Sequence, residues 1–187
     1  MQSSMERFAN LIRGFKWRGF VAATSGLAAL EFALILPLLV GLYLGGFEVS
    51  EAFMINRKVT HTTSALGDLV AQAEEISNTE VDNIFDASAA IMNPYPSDQV
   101  AMIVSGVLID DEGIATVVWS DARNVTAHEV GTTITLPLGV IQLETFIVMA
   151  EVEYEYTPTF GHTFTGVITL SDTFYLRPRL QNVVDRI

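Results

Sequence analysis

The chain has 187 residues, a formal net charge of −12 and a composition in which half of the residues are hydrophobic. This length allows one anchored domain with a modest core. An acidic chain repels phosphates, which argues against nucleic acid as a partner. The chain contains no cysteine, and this excludes disulfides, thiol catalysis and zinc–thiolate sites.

A basic leader precedes a long apolar segment. Residues 1–26 carry four of the ten basic residues but one of the 22 acidic residues. In residues 19–47 the single charge is Glu31, and residues 32–47 read FALILPLLVGLYLGGF. This pattern predicts a transmembrane helix. The positive-inside bias keeps the N-terminus in the cytoplasm, so the acidic body of a bacterial protein would be periplasmic and the anchor would lie in the inner membrane.

The length of the apolar segment favours a start at Leu27. A helix over residues 19–47 would be about 44 Å long, which exceeds a hydrocarbon core of about 30 Å. From Leu27 to Phe47 the helix is about 32 Å long and matches one bilayer. We therefore expect a leader at 1–26, a transmembrane helix at 27–47 and a periplasmic domain at 48–187.

The residues Gly26-Leu27-Ala28-Ala29-Leu30-Glu31-Phe32 resemble the prepilin signal of type IV-type pilins, in the form found in tight-adherence (Flp/Tad) pilus proteins. The stretch from residue 26 to residue 53 is similar to the start of TadE-like minor pseudopilins, including Pro37. Looser similarity is seen in four further stretches: 57–59, 65–72, 119–122 and 176–179.

This resemblance implies cleavage between Gly26 and Leu27 by a prepilin peptidase, a pilin-like fold and a role in adhesion or secretion. It also implies contact with other pilins or pseudopilins, with a pilus assembly platform and with membrane lipid. TadE-like, TadF-like and TadG-like roles all stay open.

The chemistry of the motif agrees with that implication. Gly26 gives a peptidase an extended backbone without a side chain. Cleavage would create an amine on Leu27, and Glu31 lies one helical turn further on, next to Phe32. An unpaired carboxylate in the membrane is costly, so our hypothesis is that Glu31 neutralises the N-terminus of a neighbouring subunit. Pro37 removes a helix hydrogen bond, which predicts a kink.

Three other interpretations remain. Gly26 can be a packing residue and Glu31 a tolerated interfacial acid, in which case the chain is an unprocessed single-pass anchor with a periplasmic binding or scaffold domain. A conventional secretory signal that ends near Ser50-Glu51-Ala52 is disfavoured, because its apolar region would be too long. A membrane-tethered hydrolase would require a cleft of acidic residues.

After Phe47, apolar residues recur at three- and four-residue steps, so the helix is expected to continue to about Ala73. Ser77-Asn78-Thr79-Glu80 forms a capping box and predicts a second helix, which Asn93-Pro94-Tyr95-Pro96 ends. Two apolar runs around the turn 110–113 predict a hairpin, and strands are expected at 132–136, 146–156 and 167–177. The predicted fold class is α+β, with an antiparallel sheet of four or five strands on the long helix.

No catalytic motif or cofactor signature is present, and no enzyme is predicted. His61, His128 and His162 are scattered and indicate no metal site, and Asp110-Asp111-Glu112 is read as a solvated turn. Glu151, Glu153 and Glu155 alternate with apolar residues, which places three carboxylates on one strand face. We interpret them as an acidic outer surface, with partner docking as the alternative.

Overall fold

The computed structural model describes residues 26–161 and 166–187, so the predicted leader at 1–26 lies outside the described residues except for Gly26. The described chain is α+β, as predicted. The long helix α1 spans Leu27–Ala71 and the short helix α2 spans Asn78–Ala89. The strands are β1 Glu75–Ile76, β2 Val100–Ile109, β3 Ala115–Arg123, β4 Thr133–Ile134, β5 Thr145–Tyr156, β6 Ile168–Leu176 and β7 Asp185–Arg186.

Five strands form one antiparallel sheet in the order β4-β3-β2-β5-β6. The predicted hairpin of β2 and β3 turns at Gly113, whose φ of 83° requires glycine, while the Asp110 carboxylate accepts the amides of Glu112 and Ile114. A β-bulge leaves Val118 without a partner, and it turns Trp119 towards the helices while Ala115 faces the opposite side of the sheet.

The main core lies between the second half of α1 and one face of the sheet. Ile55, Val59, Leu66 and Val70 of α1 are fully buried together with alternate residues of β5. Gly67 permits the closest approach, because a Cβ at this position would lie 2.5 Å from Leu176 Cδ1 and 3.2 Å from Ala150 Cβ. The glycine therefore costs helix propensity but allows α1 to pack against β5 and β6.

A second, smaller core covers part of the opposite face of the sheet. Val107, Ile109, Ile147 and Met149 are buried there under Leu136. The chain between β4 and β5 crosses this face. The strand expected at 132–136 is shorter than predicted, because β4 spans only Thr133–Ile134. Its apolar side chains stabilise the segment without a longer strand.

Helix α2 begins at the predicted capping box. The Glu80 amide donates to Ser77 Oγ at 3.4 Å, and the Ser77 amide donates to Glu80 Oε2 at 2.8 Å. The hydrogen bonds from the Ser77 side chain and backbone lower the pKa of the Glu80 carboxyl. At the other end, Lys58 Nζ donates to the carbonyls of Ile91 (3.0 Å) and Asn93 (2.7 Å), so α1 satisfies carbonyls that follow α2.

Candidate functional site

The first part of α1, residues 27–47, is apolar and exposed. Leu34 is 72% exposed and Tyr43 is 75% exposed, and α1 is the one helix among the described residues that is long and apolar enough to cross a membrane. No residue of its most apolar window is buried within the chain. The segment fits a single-pass membrane anchor.

The residues of the predicted signal lie at the start of this segment. Gly26 directly precedes α1, and no atom of the described chain lies within 4 Å of the position that a Cβ would take. Glu31 and Phe32 are exposed, and Glu31 makes no hydrogen bond or ion pair with residues 26–161 or 166–187. Pro37 lies inside α1, and the kink expected there stays a prediction. Packing within the described chain therefore does not require Gly26 or Glu31.

Two glutamates that the sequence reasoning did not single out bind the helix to the end of the sheet. Glu48 Oε1 accepts the amides of Phe160 and Gly161, the latter at 2.8 Å. Glu51 Oε2 accepts the Tyr156 hydroxyl at 3.0 Å. The spacing of two glutamates three residues apart, directly after an apolar run, was the available signal, because such residues share one face of a helix.

The contact with Glu51 changes the chemistry of Tyr156. Burial of the ring, the hydrogen bond to Glu51 and the negative charges of Glu51 and Glu48 raise the pKa of Tyr156 to about 12. Burial, followed by the nearby Tyr95, also raises the pKa of Tyr154. This end of the strand β5 therefore resists deprotonation and keeps its hydrogen bond at neutral pH.

The last part of the described chain, residues 176–187, forms a segment that we call the C-terminal strap. It joins three of the stretches whose similarity was noted from the sequence. Leu176 packs against Gly67, Arg179 pairs with Asp68, and its amide donates to the Ala71 carbonyl at 2.8 Å. Trp119 Nε1 donates to the Val184 carbonyl at 2.9 Å. The strap thus connects the end of α1 to β3.

Arg186 is the most connected residue of the strap. Its Nε and Nη2 bind both carboxylate oxygens of Asp121, at 2.7 and 2.9 Å. It also donates to the Ile76 carbonyl and to Asn78 Oδ1, at 3.0 and 2.6 Å. The hydrogen bond to Asp121 raises the pKa of this guanidinium further. A parallel pairing of β1 with β7 accompanies these contacts and was not expected from the sequence.

The three glutamates of β5 share one face of the strand, as the alternation predicted, but they are not equivalent. Glu151 Oε2 lies 2.6 Å from His128 Nε2, and the His128 amide donates to Ser120 Oγ at 3.2 Å. Glu153 and Glu155 are exposed and have no hydrogen-bond or ion-pair partner within the described ranges. Sequence reasoning did not pair His128 with Glu151, because 23 positions separate the two residues.

No arrangement for catalysis or metal binding stands out in the part of the chain that the structure describes. It contains no group of three or more histidines and carboxylates that could hold a metal ion. An open depression of about 850 Å³ lies beside α2, but its one cation, Arg123, pairs with Asp82 and Asp86 and stacks 5.3 Å from the Phe85 ring centre. The cation of this depression is therefore already paired with carboxylates of α2.

These features describe an α+β protein in which one apolar helix of the described residues, α1, fits a membrane anchor. Residues 26–66 match the TadE family model, described as TadE-like protein, which confirms the resemblance over this part of α1. The match covers less than half of the chain. No curated protein and no solved structure is significantly similar to it. The match indicates a component associated with Tad pili, and the TadE-like family has a structural or assembly role rather than a known enzymatic one.

Proposed function

We propose that the protein is a minor pseudopilin that helps to assemble a tight-adherence pilus from the bacterial inner membrane. The observation that carries this proposal is the TadE-like match over residues 26–66, a segment that begins with an apolar stretch whose most apolar window is not buried among the described residues. The N-terminus is cytoplasmic and the acidic α+β body is periplasmic. Other pilins or pseudopilins, the assembly platform and membrane lipid are the partners in this proposal.

In this proposal a prepilin peptidase cuts between Gly26 and Leu27. No described atom lies within 4 Å of the position that a Cβ would take at Gly26, so packing within the described chain does not explain the glycine. The need to fit a peptidase cleft would explain it. The test compares Gly26→Leu with Gly45→Leu, because Gly45 is equally unpacked but lies inside the helix. Mass spectrometry of the membrane protein should show a mature chain that begins at Leu27 in the wild type and in Gly45→Leu. Gly26→Leu should keep its leader.

A wild-type chain that retains Met1 in cells with an active peptidase would overturn the processing step. The unprocessed single-pass anchor with a periplasmic scaffold domain would then be the better function. The specific observation that favours this second candidate is that residues 47–187 form a compact unit of their own.

Glu31 is the proposed assembly residue. It is exposed in an apolar segment and has no partner among the described residues, so a cationic group outside the chain is the natural counter-charge. Glu31→Gln keeps the shape and removes the charge. We expect normal cleavage but a loss of pilus formation, measured by mass spectrometry and by electron microscopy of the same cells. The control is Glu112→Gln in the exposed turn, and unchanged pilus formation in Glu31→Gln would refute the docking role.

A further inference from the structure

The two edges of the five-stranded sheet differ in how they are covered. At the β3 edge, β4 pairs with Ala115 and Thr116, and Val117 exchanges hydrogen bonds with Thr132 and Gly131 at 3.0 and 2.8 Å. At the opposite edge, β6 pairs with β5 alone among the described strands, over all nine residues Ile168–Leu176. One backbone amide of β6, that of Thr173, donates to a side chain, Asp172 Oδ1, at 2.9 Å. As far as the described residues extend, the outer edge of β6 therefore presents backbone groups without a partner, which can pair with an added strand.

Most of the β6 side chains that face the helices favour an apolar neighbour; the exception is Asp172, whose carboxylate accepts the Thr60 hydroxyl at 2.6 Å. Ile168, Leu170 and Leu176 pack against the main core but stay partly exposed at the edge of the sheet. A strand added beside β6 would place every second side chain next to them. Apolar residues at those positions would extend the core by one strand.

The other face of β6 favours a cationic neighbour. Its side chains Thr169 and Ser171 are short and exposed, and they lie opposite Glu155 and Glu153 of β5. Neighbouring strands are about 4.8 Å apart, so an added strand would lie about 10 Å from β5. Lysine or arginine side chains on that strand can extend over the threonine and serine to the two glutamates. Both carboxylates lack a partner among the described residues.

A second copy of the chain fits this edge poorly. Antiparallel pairing of two β6 strands about Asp172 would place this carboxylate opposite its own copy, and like charges directly opposite each other destabilise a sheet. The two copies would also carry a formal net charge of −12 each. Complementary charge thus argues for a basic partner rather than for self-association.

We propose that the β6 edge binds an extended segment of a partner protein, in which apolar residues alternate with lysine or arginine, by strand addition. The backbone of the segment pairs with β6, its apolar side chains contact Ile168 and Leu170, and its cations contact Glu153 and Glu155. Glu151 has a smaller part, because its carboxylate already binds His128. Strand addition at β6 is thus the way in which the acidic face would dock a partner, and it does not depend on cleavage at Gly26.

The test uses the full-length protein in detergent micelles and a fluorescent nine-residue peptide of alternating lysine and valine. Fluorescence anisotropy measures Kd, and hydrogen exchange measures the protection of backbone amides. We expect binding together with new protection in residues 168–176. Glu153→Lys/Glu155→Lys should weaken binding about tenfold, because two cation contacts are lost and replaced by repulsion.

The matched control is Asp111→Lys/Glu112→Lys, which makes the same charge change in an exposed turn and should leave Kd within about twofold. A peptide methylated at alternate backbone nitrogens should not bind, because it keeps the charges but loses the hydrogen bonds to the edge. Hydrogen exchange of β2 checks that each variant folds.

Four results would overturn the proposal: no binding, equal weakening in both double variants, protection outside β6, or full binding of the methylated peptide. A concentration-dependent protection of β6 without peptide would also overturn it, since a second copy would then be the occupant.

Discussion

The side chains in the two parts of α1 lie in different environments. In residues 27–47 the large apolar side chains are exposed, and Gly41, Gly45 and Gly46 have no described atom near a Cβ position. In residues 48–71 one apolar face, with Ile55, Val59, Leu66 and Val70, is buried against the sheet, while Val49, Phe53, Met54 and Leu69 are exposed. Polar side chains of this part bind the body: Glu48, Glu51, Lys58, Thr60 and Asp68. The second part finds partners within the described chain, whereas the first part finds few there and fits a membrane anchor.

This contrast shows that the pattern of side chains decides which environment suits each part of the helix. Apart from the hydrogen bond that Pro37 cannot donate, both parts have the same α-helical backbone, so the difference in environment lies mainly in the side chains. A continuous apolar run suits a medium that surrounds the helix, while apolar residues at three- and four-residue steps suit one packed face. A change in the second part, or in its contacts, should therefore have a larger effect than a matched change elsewhere.

The largest expected effect comes from a core leucine. Leu66 is fully buried, and Leu66→Ala should lower the free energy of unfolding of the body by about 3 kcal/mol, through lost burial and a cavity. Leu34→Ala removes the same atoms from an exposed position and should change that free energy by less than about 0.5 kcal/mol. Urea unfolding in micelles, followed by Trp119 fluorescence, measures both. Equal effects of the two variants would refute the division of α1 into exposed and packed parts.

The glycines provide a second comparison. Gly67→Ala adds a methyl group that would lie 2.5 Å from Leu176 Cδ1, so overpacking outweighs the gain in helix propensity. We expect a net destabilisation of about 1.5 kcal/mol in the same unfolding experiment. Gly45→Ala meets no described atom and should leave the stability of the body unchanged. A stabilised Gly67→Ala variant would show that the helix and sheet can separate at little cost.

The smallest effect concerns the hydrogen bond between Tyr156 and Glu51. Tyr156→Phe should cost about 1 kcal/mol at neutral pH, measured by urea unfolding, because Glu51 loses a donor. Phe146→Leu, a core change without a hydrogen bond, serves as the control for packing.

The same tyrosine predicts a pH dependence. Its pKa is about 12 in the folded chain and about 10 in the unfolded chain. Stability is therefore fully present below about pH 10 and is lost as the pH rises towards about 12, since the unfolded chain releases its proton first. Tyr156→Phe should make this loss smaller, although the raised pKa values of Tyr154 and Tyr175 act in the same direction. An identical decline in the variant, measured by unfolding at pH 9 to 11, would contradict the assigned pKa shift.

Local patterns in the sequence were enough to predict most of the fold. The apolar run and the following amphipathic pattern predicted α1, and the capping box at Ser77 and Glu80 predicted α2. Alternation and the turn at Gly113 predicted the central hairpin. These features depend on residues only a few positions apart, which is why sequence periodicity contains them.

Contacts between distant residues could not be predicted in this way. The β1–β7 pair, the His128–Glu151 pair and the contacts of Arg186 each join residues far apart in the chain. Nothing in the local sequence of Arg186 distinguishes it from an exposed arginine. Gly26 and Glu31 were noticed from the sequence because their motif is local, while the roles proposed for them would depend on partners outside the chain.

The C-terminal strap also has a consequence for folding kinetics. Arg186 and Ile76 are 110 positions apart, so the pairing of β1 with β7 closes a very long loop. Such a closure loses much chain entropy before it gains any contact, and proteins rich in distant contacts fold slowly. The hairpin of β2 and β3 closes a short turn and can form early. Trp119 belongs to β3 and its indole donates to Val184 of the strap. Its fluorescence should therefore report the late docking of the strap as a phase separate from formation of the hairpin.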